Sequence, residues 1–405
     1  MKQANLAGFE FMEALGIDVH VDSQWFHGQK QTYTLAQVCQ RLSSGKSITA
    51  SDISESGKYP VYGANGVRGY TSTSNFKGEC AIIGRQGAYC GNVHYFAGEA
   101  YMSEHAVVAH PNDMADARYL AYLLSLMDLS RLQGQSAQPG LSVQTIGKQK
   151  IQLPDIATQK RIGKLLGILD EKIALNQRLN DNLEAMAQAL YDYWFVQFDF
   201  PDENGKPYKS SGGKMVWNEV LKREIPEGWT NSTVQNYIRI GNGKDHKSVG
   251  RGEIPCYGSG GFMFGVAKAI FTGESVLLPR KGSLNNVMLV DGSFWTVDTM
   301  FYSEPKMKGA AKYVYYGIQV YDLASMNLGT GVPSMTSTRL YSLKLVGAPS
   351  TILTKFDAVV APLLSKARRL LAENKVLVAQ RDFLLPLLMN GQVQVKPLNY
   401  HLGAD

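Results

Sequence analysis

The chain has 405 residues, enough for two or three domains at about 150 residues each. Hydrophobic residues make up 44% and charged residues only 19%, with 41 Lys plus Arg against 35 Asp plus Glu for a formal net charge of +6. This composition excludes a disordered or highly charged tail protein. Apolar runs such as Leu384–Leu388 fall short of the roughly 18 to 20 residues a spanning helix needs, so no membrane role is expected.

Residues 1–30 form an N-terminal extension with no apolar h-region and no cleavage site, so a soluble cytoplasmic protein is expected. Residues 31–155 read as a first globule of mixed strand and turn. Its β-branched or aromatic runs Val93–Phe96 and Ala106–Val108 alternate with Gly, Asn and Ser clusters, and Tyr119–Leu129 predicts a short helix. A long helix is expected over 156–197, where Ile162, Leu169, Asn176, Leu183 and Leu190 recur every seven residues with Leu166 and Ile173 between them. A 3.5-residue period is a coiled-coil seam. Residues 198–228 read as a linker, because Pro201, Asn204-Gly205, Lys206-Pro207 and Ser210-Ser211-Gly212-Gly213 oppose regular structure.

A second globule spans 229–349, with strands expected over Val287–Val290 and Tyr313–Tyr316. A second long helix spans 350–391, its seam running through Phe356, Leu363, Leu370, Leu377 and Leu384 with Val360, Ala367 and Asn374 between. The polar Asn176 and Asn374 can fix the register of the seams at some cost in stability. Pro362 predicts a kink or a late helix start, and Asn390-Gly391 a C-terminal stop before a tail at 392–405. Gln133–Gln138 and Gly329–Ser334 read as mobile loops.

The chain carries an internal duplication. Pro60-Val61-Tyr62-Gly63-Ala64-Asn65-Gly66 matches Pro255-Cys256-Tyr257-Gly258-Ser259-Gly260-Gly261 at an offset of 195, and the match runs on to Arg85-Gln86-Gly87 against Arg280-Lys281-Gly282. The 28 ungapped positions hold nine identities, where ordinary residue frequencies give about two. Gly45-Lys46 and Gly243-Lys244 pair at an offset of 198.

Apparent catalytic motifs fail on inspection. Gly45-Lys46-Ser47 lacks the upstream glycine of a phosphate loop, since position 40 is Gln40. Pro154-Asp155 with Asp170-Glu171-Lys172 has the outline of a nuclease, yet Asp170 and Lys172 fall inside the heptad helix. Cys39, Cys80, Cys90 and Cys256 make no CxxC pair and read as buried thiols, and the histidines have no ligand spacing. Neither catalytic residues, a metal site nor a cofactor site is expected in this chain.

What recurs is a glycine-rich loop with a basic residue. Arg85 and Arg280 offer planar forks that can grip guanine O6 and N7 or a phosphate. Gln86 adds an adenine-capable amide and Lys281 a second cation. Tyr62, Asn65, Tyr257, Ser259 and Asn285 supply flat rings and small polar groups near these loops. Lys46, Arg68, Lys244 and His246 are candidate phosphate contacts, with solvated surface charge as the alternative. The structural alternative for the arginines is pairing with the repeated Glu79 and Glu274.

With these pieces in order, the chain resembles the specificity (S) subunits of type I restriction–modification systems over essentially its whole length. The matching pieces are the Gly-Lys and Pro-x-Tyr-Gly segments and the Ile162–Phe195 helix ending in Tyr193-Trp194-Phe195. Further pieces are Phe198-Asp199-Phe200-Pro201, Ile225-Pro226-Glu227-Gly228-Trp229 and Phe356-Asp357-x4-Pro362-Leu363. The resemblance implies a non-catalytic reader of double-stranded DNA with a bipartite target. It implies assembly with two adenine-N6 methyltransferase (M) subunits that bring S-adenosylmethionine and, for cleavage, up to two restriction (R) subunits that bring ATP and Mg. The loops of the two copies have diverged, so the bases read do not carry over.

The fold class expected is α+β: two mixed α/β target-recognition domains joined by two long antiparallel coiled-coil helices, a pseudo-two-fold tandem repeat. Helices of about 35 to 40 residues reach roughly 52 to 60 Å, enough to set readers about one DNA turn apart and so fix a non-specific gap. Leu175, Met186, Tyr193, Trp194, Phe195, Val359, Leu371, Val378 and Leu388 remain outside the seams and are expected to face partners. The rival readings are the S-like subunit of a fused or solitary methylation system, and a coiled-coil protein-binding adaptor without DNA readout.

Overall fold

The computed structural model describes residues 19–21, 30–134, 140–327, 329 and 331–395. Most of the N-terminal extension, the tail beyond 395, and positions 135–139, 328 and 330, which take in 135–138 of the first predicted loop and 330 of the second, lie outside the described residues. The described residues form two compact units, one drawn from Met1–Gln177 together with Ala372–Asp405, the other from Arg178–Leu371. Each unit therefore takes part of both long helices.

In the first unit a six-stranded sheet runs in the order Cys39–Ser44, Ala106–Pro111, Phe76–Gly84, Val93–Met102, Tyr59–Gly63, Gly66–Thr71. Neighbours are antiparallel except Tyr59–Gly63 and Val93–Met102, which run parallel with Val61 opposite Tyr101. The central strand carries Cys80-Ala81-Ile82-Ile83, all fully buried. Successive side chains point to opposite faces, so Ala81 and Ile83 enter one core with Tyr119, Leu120 and Leu166, while Cys80 and Ile82 enter another with Phe76 and Phe96. Burial on both faces explains the unbroken apolar run.

The second unit repeats this pattern. Ile238–Asn242, Met300–Pro305, Ser275–Pro279 and Met288–Val290 form one sheet; Gly261–Val266, Arg251–Gly258, Ser293–Thr296 and Phe271–Thr272 form another. Arg251–Gly258 and Ser293–Thr296 run parallel with Cys256 opposite Trp295, the duplicate of Val61 opposite Tyr101. The counterpart of the long strand Val93–Met102 is split in two, interrupted at Asp291-Gly292 where Gly292 takes φ +104°.

Two predicted elements are corrected. Tyr313–Tyr316 is not a strand but the middle of a helix, Ala310–Ile318. Tyr313, Val314, Tyr316 and Ile318 are all buried, so the segment shows a continuous apolar run in place of a helical stripe. The stretch 198–228 is not free of regular structure, because Met215–Asn218 pairs antiparallel with Arg223–Pro226. It is also anchored: Phe200 stacks between Tyr208 and Trp229 with ring centroids 4.8 and 4.9 Å away.

The first long helix runs Ile156–Tyr191 and continues as a wider turn through Val196. The second runs Ser350–Asn390, starting ahead of Pro362 and passing through it, so the late start does not occur. Within the first unit the two helices are antiparallel: Asp170 accepts from Arg381 Nη1 at 2.8 Å, and Ile173 O accepts from Asn374 Nδ2 at 3.1 Å. Asn176 Nδ2 donates to Glu373 Oε2 at 3.0 Å. In the second unit Tyr191 and Trp194 meet Phe356. The seams thus bury Ile162, Leu166, Leu169, Asn176, Leu377 and Leu384 as the spacing requires, and add Asn180 and Ala187 at the same 3-4 alternation.

The expected partner-facing residues divide. Trp194, Phe195 and Leu388 are buried in the units' own cores, whereas Leu175, Met186, Val359 and Leu371 are exposed. No helix among the described residues is long and apolar enough to cross a membrane.

Candidate nucleic-acid interface

Each Gly-Lys segment follows an edge strand and lies against the backbone of a strand turn. A Cβ on Gly45 would stand 2.0 Å from the Met102 carbonyl oxygen, and one on Gly243 2.0 Å from that of Val297. Only glycine permits this approach. The following amides donate inward, Lys46 N to Met102 O and Lys244 N to Thr296 O at 2.9 Å, which leaves both lysine side chains exposed.

The Pro-x-Tyr-Gly segments end in matching hairpins. Gly63 pairs with Gly66 across Ala64-Asn65, and Gly258 with Gly261 across Ser259-Gly260. Gly66 at φ +91° and Gly261 at φ +109° take the left-handed conformation that closes the turn. Tyr62 packs edge-on against Phe96 at 5.0 Å, and burial raises both the Tyr62 and Tyr257 phenols above their ordinary pKa, so each stays neutral. Their carbonyls accept from Ser103 N and Val297 N at 2.9 Å. Arg68 is exposed and lies alongside Gly63, where a Cβ would meet its Cδ at 2.6 Å.

The arginine loops come up against these turns. A Cβ on Gly84 would stand 2.7 Å from the Ala64 carbonyl oxygen, and one on Gly282 2.9 Å from Ser259 Oγ. A third, distal loop completes each cluster: Leu141 N donates to Arg85 O at 2.8 Å, and Met335 N to Arg280 O at 2.9 Å. Gln86 bridges to Gly140, and Lys281 to Ser334.

Neither arginine pairs with an acidic side chain among the described residues. The structural alternative is corrected for Arg280: Glu274 accepts from Lys312 instead, and Arg280 lies over the Phe301 ring at 5.8 Å. Glu79 sits in mid-strand opposite Ala97 and is directed to Tyr95. Lys46, Arg68, Lys244 and Lys281 are likewise without acidic partners among the described residues, so their charges are available to an anion.

Two candidates have structural employment as well. His246 packs on Phe264 at 4.8 Å, sharing that ring with Arg251 at 4.1 Å. Asn285 Nδ2 donates to Asp322 Oδ1 and its Oδ1 accepts from Ala324 N, both at 2.9 Å, which ties the arginine loop to a neighbouring turn. The carboxylates of the apparent nuclease motif are all used locally. Asp155 caps the first long helix through Thr158 N at 3.0 Å, an interaction that with the Thr158 hydroxyl holds its carboxyl below the ordinary range. Asp170 accepts from Tyr122 and Arg381.

Sequence reasoning missed exposed aromatics beside the clusters. Tyr89 follows the first arginine loop, and Phe262 (64% exposed) follows the second hairpin turn. The only sequence signal for them was position, one and two residues beyond the repeated motif blocks. It also missed His105 and Glu104, which contact Gln86 through His105.

The chain is similar in sequence and in fold to known proteins. Residues 28–185 match the family model of the type I restriction modification DNA specificity domain. The EcoprrI specificity subunit of Escherichia coli is 37% identical over 141 residues, 34% of this chain and only 35% of that relative. The MjaIX specificity subunit of Methanocaldococcus jannaschii is 25% identical over 318 residues, 71% of this chain and 72% of the relative. A crystal structure of an S subunit from M. genitalium shares the fold, with a TM-score of 0.70 at 18% identity over 91% of this chain and 97% of that one.

Proposed function

We propose that the chain is a specificity subunit of a type I restriction–modification system, a reading supported by the family match over residues 28–185, and that it reads a bipartite DNA target and directs adenine-N6 methylation and restriction by partner subunits. One observation carries the reading: an arginine without an acidic partner, a tyrosine-bearing hairpin turn and a glycine-held lysine recur together in both units. Arg85 and Arg280 would meet base edges, with Lys46, Arg68, Lys244 and Lys281 on flanking phosphates. Phosphate contacts position a reader and base contacts specify it. The two long helices act as the spacer that sets the non-specific gap between half-sites.

Separate substitutions test the assignment. Arg85→Ala should relax one half-site and leave the other intact, with Arg280→Ala doing the reverse. A good bidentate contact is worth about 1–3 kcal/mol of discrimination. Methylome sequencing of cells carrying each variant is the measurement; unchanged recognition in both, with normal folding, defeats the base-reading role.

Catalysis belongs to the partners in this reading, methyl transfer from S-adenosylmethionine to two M subunits and ATP- and Mg-dependent cleavage to R subunits. Leu175, Leu179 and Met186 on the first long helix and Val359, Leu371, Val376 and Phe383 on the second are exposed, and this supports a partner surface along the helices. Co-expression with the methyltransferase should yield one S chain with two M chains by light scattering. A monodisperse lone chain that ignores the methyltransferase would refute it.

A further inference from the structure

Gln86 has a neighbour that decides which of its atoms it can show. Its Oε1 lies 3.0 Å from His105 Nδ1. On the other edge of the ring, His105 Nε2 is 3.2 Å from Glu104 Oε1, and Glu104 Oε2 is buried without a hydrogen-bond partner. The backbone fixes the ring beside the arginine loop, because His105 O accepts from Arg85 N at 2.9 Å. An amide oxygen can only accept, so the ring donates to it from Nδ1.

The consequence is chemical. A free glutamine presents an oxygen and an NH2 side by side and reads adenine through N6 and N7. A glutamine whose oxygen is held presents donors only, which suit guanine O6 and N7 or thymine O4. The duplicate unit reaches the same display by another route. At the repeat position of Gln86 stands Lys281, and at that of His105 stands Thr299. An ammonium has three donors and no acceptor, so it needs no histidine to hide an oxygen. The backbone role is conserved between copies, since Thr299 O accepts from Arg280 N at 2.9 Å.

We propose that His105 is a positioning residue: it holds the Gln86 oxygen so that the first unit selects a base with a major-groove carbonyl, guanine or thymine, over adenine with its N6 amino donor, at one position of its half-site. The inference rests on the DNA-reading function proposed above. It is tested by enrichment from a pool of random duplex DNA, using the full chain co-expressed with its methyltransferase subunit. Wild type should enrich a two-part site. His105→Ala should raise the share of adenine at one position of one half-site by about tenfold, with the other half-site unchanged. His105→Asn, whose amide can donate where Nδ1 does, should keep the wild-type preference. Wild-type base preferences at every position in His105→Ala, or uniform loss of that half-site in both variants, would overturn the positioning role. A wild-type complex that enriches no sequence would instead defeat the DNA-reading function, and the inference with it.

Discussion

Lys312→Met is expected to lower the stability of the second unit by about 3–5 kcal/mol, the cost of breaking a buried ion pair and leaving charge uncompensated. Lys312 is 4% exposed, yet its ammonium reaches both Glu274 and Asp357, the latter at 2.6 Å. It joins the helix Ala310–Ile318 to the strand at Ser275 and to the second long helix, so three elements lose a common tie at once. Burial pushes the ammonium down, but the hydrogen bonds it donates to Asp357 and Glu274 more than reverse this and raise its pKa above the ordinary value. A raised pKa in the folded state stabilises below the unfolded value. This contribution is therefore fully present at neutral pH and is lost only as pH rises through the folded value, above about 10. Urea unfolding followed by tryptophan fluorescence gives the difference. Adding Glu274→Leu and Asp357→Leu to Lys312→Met should recover much of the loss, because a well-packed apolar triad replaces a buried ionic one at little cost. A loss under 1 kcal/mol in the single variant would remove the triad from the account.

Gly45→Ala and Gly243→Ala come next in size, at about 2–3 kcal/mol each from overpacking. The new methyl at Gly45 meets the Met102 and Ser103 carbonyl oxygens at 2.0 and 2.4 Å, and at Gly243 those of Val297 and Met300 at 2.0 and 2.4 Å. These are backbone atoms of turns tied into the sheet by hydrogen bonds, so the segment bearing the lysine must shift. Gly66→Ala is the comparison: nothing lies within 4 Å of its Cβ, and only the φ of +91° resists the change, at about 1 kcal/mol. Thermal unfolding of the three variants ranks them. Equal effects at Gly45 and Gly66 would show that close approach does not matter.

The repeat made the architecture legible. The duplication of the globules and their matching turns follow from one repeated block, and the seams follow from a period of 3.5, whereas the strand order and the parallel pairs at Val61 and Cys256 emerge only in the fold. What stayed hidden was either burial on every side or pairing through space. Tyr313–Tyr316 carries no stripe because its helix is buried on nearly every side, with only Tyr315 partly exposed. Met215–Asn218 finds Arg223–Pro226 across a turn set among residues that individually oppose strands. The arginine loops were readable as motifs, but the distal loops at Leu141 and Met335 share no pattern with them and meet them only in the fold. Glu274 was read as a partner for Arg280 because both recur; the lysine that takes it lies 38 residues further on. Glutamine at position 86 was legible as a donor and acceptor. That a histidine 19 positions away takes its oxygen was not.

The first unit closes with residues from beyond position 371, and Leu377, Leu384 and Leu388 sit in its core beside Leu120 and Leu166. The second unit, by contrast, is one continuous stretch, Arg178–Leu371. On a ribosome, domains ordinarily complete in the order in which they are made. Here that order inverts: the half translated first must wait, with part of its core unfilled, until the half translated second has emerged and can finish. A stalled or nonsense-terminated message ending near position 371 would release a finished second unit attached to an unfinished first one, a natural substrate for chaperones and proteases.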